Sequence, residues 1–101
     1  MPVRDSLTQS TLPRDTELQG ELEEELRSPK ASGEPDIVIE RPHSSTIHLV
    51  VIWSKFQGIE QVVRSSIILD AFTAVKGIPE AQKVTVAMGL TPDEAQRMGL
   101  S

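Results

Sequence analysis

The sequence predicts an α/β fold of the α+β sandwich type, with elements in the order α-β-β-α-β-α and a three-stranded mixed sheet. Three segments lead to this prediction. Thr46 to Trp53 is apolar almost throughout, which is typical of a central strand buried on both faces. Residues 59–75 carry apolar residues at helical spacing, and Val84 to Met88 is a further strand. A strand–helix–strand unit predicts a parallel pair with a right-handed crossover.

The N-terminal third predicts a tail and one helix. Residues 1–15 are polar and show no period, so we expect a disordered tail, with residues 16–101 forming a single domain. Leu18, Leu22 and Leu26 recur at every fourth position within residues 16–27. This spacing predicts a helix with one narrow apolar stripe.

A hairpin should follow this helix. Asp36 to Glu40 is a short run rich in β-branched residues and predicts a strand. The polar segment from Arg41 to Ser45 should end that strand and lead into the apolar strand from Thr46 to Trp53. The two strands should therefore be antiparallel.

The long helix and the C-terminal helix have clear boundaries. Gly77, followed by Pro79, should end the long helix, and Thr91 to Glu94 is a capping box that should start a short helix reaching Met98. The long helix should pack on the sheet through one broad apolar face. We expect that face to contain Ile59, Val62, Val63, Ile67, Ala71, Ala74 and Val75, with Ile68 and Phe72 widening it.

Composition limits the classes of function. The net charge is −5, and residues 1–41 hold ten acids and five bases, whereas residues 42–101 hold five of each. A nucleic-acid interface normally needs clustered lysine and arginine, and here only the fold could gather Lys55, Arg64 and Lys83. The chain has no cysteine, which excludes disulfides and thiolate metal sites. No apolar run approaches the length of a membrane span or a signal segment, so we expect a cytoplasmic protein.

Catalytic patterns are not apparent in the sequence. No nucleophile–base motif and no metal-ligand box occurs, so we expect a chain that is not an enzyme. His43 and His48 are the only histidines, and imidazole is a good ligand for iron or zinc. His48 falls at the start of the second strand, and His43 falls in the hairpin loop.

The strongest motif joins the second strand to the long helix. It is the turn Phe56-Gln-Gly58, with Arg64 six residues after the glycine and Ile68 four residues further on. Phe56 suits a core position, and Gly58 allows an unusual backbone angle at a tight turn. This spacing resembles that of the BolA family of small α/β proteins. The resemblance covers about residues 18–95, including the Thr91-Pro-Asp-Glu94 stretch.

The resemblance implies a fold similar to class II KH domains and a partner-binding role. Members of the BolA family pair with monothiol glutaredoxins and share a [2Fe-2S] cluster through a helix histidine, sometimes with a loop residue. Some members act as DNA-binding regulators of morphology and stress genes. The implied contact residues here are Gly58, Arg64, Ser65 and Ser66, with His43 as a possible metal ligand.

The chain departs from the family pattern at the site itself. The family carries an Arg-His-Arg run where this chain has Arg64-Ser65-Ser66. A serine hydroxyl is a poor ligand for a cluster that favours thiolate or imidazole. We therefore expect no cofactor bound by the chain alone, although a cluster shared with a partner stays open.

Three hypotheses follow from these observations. The first is a non-enzymatic adaptor in iron–sulfur or redox homeostasis with a monothiol glutaredoxin as partner. The second is a nucleic-acid-binding regulator that uses the KH-like surface from Gly58 to Arg64, although the acidic charge disfavours it. The third is an interaction module with neither activity.

Overall fold

The computed structural model describes residues 13–30 and 33–99. Of the tail predicted at residues 1–15, residues 1–12 lie outside the described residues, and residues 13–15 are helical, so the prediction is wrong for these three. In these described residues, four α-helices and three strands follow one another. They are α1 (Pro13–Arg27), β1 (Asp36–His43), β2 (Thr46–Ile52), α2 (Gln61–Lys76), α3 (Ile78–Ala81), β3 (Val84–Leu90) and α4 (Pro92–Arg97). The predicted fold class is confirmed. The first helix begins at Pro13, three residues before its predicted start.

The sheet has the strand order β1-β2-β3, so β2 is central as its apolar sequence predicts. β1 pairs with β2 antiparallel, and β2 pairs with β3 parallel through the crossover that contains α2. β1 runs on to His43 instead of ending at Glu40, with a register irregularity between these two residues. The extended conformation thus continues through Arg41 and Pro42, and only two residues connect the strands.

The main core lies between one face of the sheet and the helices α1 and α2. Leu18 and Leu22 of α1 are buried in it, which confirms the apolar stripe. Ile47, Leu49 and Val51 of β2 are at most 1% exposed on this face. The largest buried side chains are Trp53, Phe56 and Phe72.

The buried face of α2 contains the predicted residues Ile67, Ile68, Ala71 and Phe72, and it differs from the prediction at Arg64 and Val62. Its buried residues are Arg64, Ile67, Ile68, Ala71 and Phe72. Val62 was predicted to be buried, yet it is 71% exposed. The reason is that Arg64 takes an inward position, which an assignment based on apolar residues alone does not allow.

The opposite face of the sheet carries a smaller cluster. Ala95 of α4 packs there against Ile52 and Leu90, and Val50 and Met88 are partly buried beside them. α4 begins with the predicted capping box: the Glu94 N–H donates to the Thr91 hydroxyl, and the Thr91 N–H donates to the Glu94 carboxylate. In the described part of the chain, no helix has the length and apolarity needed to cross a bilayer.

Candidate functional site

The Phe56–Gly58 turn places α2 against the end of β3. Ser54 to Phe56 form a 3-10 turn after β2, and Phe56 is fully buried with its ring edge-on to Trp53 at a centroid distance of 5.4 Å. Gly58 has a φ of 81°, which confirms the expected unusual backbone angle. The turn thus anchors the start of α2 in the core.

Arg64 lies inside the protein, and its side chain is 8% exposed. Its Nε donates to the Ile59 carbonyl at 2.7 Å, and its Nη1 donates to the Gly89 carbonyl at 2.9 Å and to Glu94 Oε1 at 2.7 Å. The guanidinium carbon lies 5.7 Å from the Phe56 ring centroid. Arg64 therefore joins α2, β3 and α4, and its predicted contact with a partner stays a prediction.

Gln61 and Ser65 continue this network along β3. The Gln61 side-chain amide donates to the Gly89 carbonyl and accepts from the Gly89 N–H, both at 2.9 Å, as the backbone of a neighbouring strand would do. The Ser65 hydroxyl donates to the Ala87 carbonyl at 2.5 Å. We call these outward backbone groups of Ala87 and Gly89 the bonded edge of the sheet.

The bonded edge requires glycine at position 89. A Cβ there would lie 2.7 Å from Cε2 of Phe56 and 2.9 Å from Cβ of Arg64, closer than packed carbon atoms approach. The strand, the turn and the arginine therefore fit together only around a residue without a side chain.

The neighbours of Glu94 lower the pKa of its carboxyl group. The hydrogen bond from Arg64 lowers the pKa of the Glu94 carboxyl, and the hydrogen bond from the Thr91 backbone lowers it further. The carboxylate thus stays ionised in the folded protein at pH values where a free glutamate begins to protonate.

Ser65 and Ser66 lie at a depression of about 490 Å³ between α2 and β3. We call it the uncharged depression, because the residues that line it carry no charge. They are Val62, Ser65, Ser66 and Leu69 of α2 and Val84, Thr85 and Ala87 of β3. Ser66 and Val62 are exposed, so partner-accessible surface begins here, beside Arg64 and not at it.

The other residues that the sequence singled out do not line this depression, and the cations among them form ion pairs. His43 is exposed at the end of β1, opposite Thr46. The three cations that could have formed a basic surface each pair with a glutamate: Lys55 with Glu21, Arg64 with Glu94, and Lys83 with Glu80. Within residues 13–30 and 33–99, no group of three or more metal-ligating side chains forms.

Sequence reasoning missed two participants of the site. Gln61 gave no signal, because an isolated glutamine in a helix has no characteristic pattern. Glu94 was recognised as a helix cap, but its pairing with Arg64 joins residues 30 positions apart. Comparison of the chain with protein-family models, with curated proteins and with solved structures finds no match.

Proposed function

We propose that this chain is a non-enzymatic adaptor that binds a partner protein through the uncharged depression. The observation that carries the proposal is the pairing of a concave surface with exposed apolar side chains: Val62 is 71% exposed and Leu69 is 37% exposed. A contiguous exposed apolar patch with a polar rim is typical of a protein-interaction site, and here Ser65, Ser66 and Thr85 provide the polar groups.

The charge distribution favours a protein partner over a nucleic acid. Phosphate contacts supply most of the affinity for nucleic acids, and they need accessible lysine or arginine. The depression has neither, and Arg64 beside it is engaged with Gly89 and Glu94. No contact described above favours the nucleic-acid hypothesis specifically.

Because the sequence resembles the BolA family, a monothiol glutaredoxin is the first partner to test. The residues present do not fit a cluster held by this chain alone, since it has no cysteine and the Ser65 hydroxyl donates to a backbone carbonyl. His43 is the remaining candidate ligand for a cluster shared with the partner. The adaptor proposal itself needs only the protein contact.

The test is co-purification with a monothiol glutaredoxin, with and without iron and sulfide, read by size exclusion and visible absorption. We expect a complex that Val62→Glu disrupts. The matched control is Ile78→Glu, which places the same charge at a 62% exposed apolar residue outside the depression and should leave the complex intact. Loss of the colour in His43→Ala would support the shared cluster.

Two results would contradict the proposal in different ways. If no complex forms, the glutaredoxin partnership is wrong. If a complex forms but Val62→Glu and Ile78→Glu weaken it equally, the partner does not bind at the uncharged depression. Binding of DNA or RNA that weakens steeply with salt would instead support the regulator hypothesis.

A further inference from the structure

The outer edge of β1 differs from the bonded edge. In a strand, the N–H and C=O of one residue point to the same side, and successive residues alternate. The Trp53 N–H, just after β2, donates to the Leu90 carbonyl of β3. The backbone groups of odd-numbered residues in β2 therefore point to β3, and those of even-numbered residues point to β1. Since Val38 pairs with Val50, the N–H and C=O groups of Ile37 and Ile39 point away from the sheet. Within residues 13–30 and 33–99, no hydrogen bond reaches these groups, and we call them the open edge.

A cavity of about 450 Å³ lies beside the open edge. Its walls include Ile37 and Ile39 of β1, Leu26 near the end of α1, and Lys76 at the end of α2. Its volume falls within the range of clefts that bind ligands in proteins. The side chains of Ile37 and Ile39 point to the helix side of the sheet, so this cavity lies beneath the place where an added strand would run.

Glu25 of α1 lines the same cavity and has an incomplete set of partners. The residue is 8% exposed, and its Oε2 accepts the Lys30 N–H at 2.9 Å. Its Oε1 is buried and accepts no hydrogen bond from any residue that the structure describes. Nζ of Lys30 forms a long ion pair with Oε1 at 3.9 Å, which is beyond hydrogen-bond distance, and the Lys30 side chain is 65% exposed.

A buried carboxylate oxygen without a donor is unfavourable, and a cationic donor that enters the cavity would remove that penalty. An arginine is the side chain best suited to this task. Its guanidinium presents five N–H donors in a planar fork and stays charged at physiological pH.

We propose that the open edge of β1 binds an extended peptide segment as a fourth strand, and that an arginine side chain of this segment reaches Glu25. Backbone hydrogen bonds to Ile37 and Ile39 hold the segment in register. Because side chains alternate along a strand, every second residue of the segment points into the cavity on the helix side. The apolar walls formed by Leu26 and Ile39 contact the methylene groups of the arginine.

This peptide site is separate from the uncharged depression, since the two cavities share no lining residue. The proposal therefore stands or fails independently of the adaptor function.

The test uses the full chain and short peptides of alternating valine and threonine, each with one arginine at a different central position. Binding is measured by amide chemical shifts in NMR titrations. We expect at least one peptide to bind and to shift the amides of Ile37 and Ile39 while leaving those of Ala87 and Gly89 unchanged. The proposal is overturned if no peptide of the set binds at about 1 mM, or if the shifts centre on Gly89.

Two substitutions separate the backbone contribution from that of the carboxylate. Glu25→Gln keeps an acceptor for the Lys30 N–H but loses the charge, and it should weaken the arginine peptide about tenfold. Glu24→Gln, at the exposed neighbouring glutamate, makes the same charge change and should have no effect. Equal affinities in the two variants would show that the arginine does not reach Glu25.

Ile39→Pro removes the outward N–H that would donate to the added peptide, so peptide binding should be lost. The protein should still fold, because proline is tolerated where the nitrogen of an edge strand faces solvent. Ile39→Val keeps the backbone donor and should bind as the unchanged chain does. Binding that survives in a folded Ile39→Pro protein would contradict strand addition. If Ile39→Pro does not fold, the titration of the unchanged chain still decides the proposal.

Discussion

The outward edges of the two outer strands, β1 and β3, have different surroundings. At β3, Gln61, Arg64 and Ser65 of α2 bond the outward backbone groups of Ala87 and Gly89. At β1, the outward groups of Ile37 and Ile39 lie beside a cavity, and seven of the eight residues of the strand are exposed. Unpaired strand edges are the places where other chains add to a sheet.

The difference between the two edges follows from the Phe56–Gly58 turn and Arg64. The Phe56–Gly58 turn and Arg64 hold α2 over β3, so that polar side chains of the helix replace a neighbouring strand. Surface for partners then remains at the depression beside Ser66 and at the open edge of β1. The following substitutions test how firmly the bonded edge is held.

Arg64→Ala should have the largest effect. It removes two buried hydrogen bonds and one partly buried one, and it takes the side-chain donor from the Ile59 carbonyl, so we expect the free energy of unfolding to fall by about 3 kcal/mol. The measurement is urea denaturation. Arg41→Ala is the matched control at the β1 side, because the ion pair of Arg41 with Glu80 is exposed to solvent and its loss should change stability far less. Equal losses in the two variants would refute the difference between the edges.

Gly89→Ala should lower stability by about 2 kcal/mol, because the new methyl group meets Phe56 and Arg64 in a packed region. Thermal unfolding measures the change. Gly20→Ala is the control: a Cβ at this helical position meets nothing within 4 Å, so stability should rise by about 1 kcal/mol. A neutral Gly89→Ala would mean that the edge of β3 is not tightly packed against the turn.

Gln61→Ala should cost about 1 kcal/mol, since the amide pair with Gly89 is partly exposed and water can replace it. The exposed Gln57 provides a control, and Gln57→Ala should change stability by less than about 0.5 kcal/mol. If chemical denaturation gave the same loss of stability for both substitutions, the Gln61 amide would not stabilise the bonded edge.

Acid should act on the bonded edge through Glu94. Its pKa is lowered in the folded state, so the stabilisation it provides is complete above the ordinary glutamate pKa of about 4.3 and is lost as the pH falls through the folded value. The unchanged chain should therefore lose its stability advantage over Glu94→Gln in that acidic window. Denaturation curves from neutral pH to about pH 3 measure this, and a constant difference between the two proteins would exclude the linkage.

Much of the fold could be predicted because its signals are local. The apolar run of β2, the φ-specific glycine at position 58 and the capping box at Thr91 each depend on a few adjacent residues. The inward position of Arg64 could not be predicted in this way. It depends on Gly89 and Glu94, which are 25 and 30 positions away along the chain.

The same limit applies to the cavity at the open edge. Glu25 is the last of three consecutive glutamates, and such a run is typical of a solvated helix face. Only the fold distinguishes it from the exposed Glu24, because the turn after α1 buries one carboxylate and not the other. Sequence reasoning could locate the helix but not this difference.

Amide hydrogen exchange, followed by NMR in the full chain without a ligand, tests the central claim most directly. The Gly89 N–H is bonded by Gln61 and should exchange slowly, whereas the Ile39 N–H at the open edge should exchange much faster. Gln61→Ala should bring Gly89 close to the rate of Ile39. If Ile39 is as protected as Gly89 in the unchanged chain, the edge of β1 is not open and the account is contradicted.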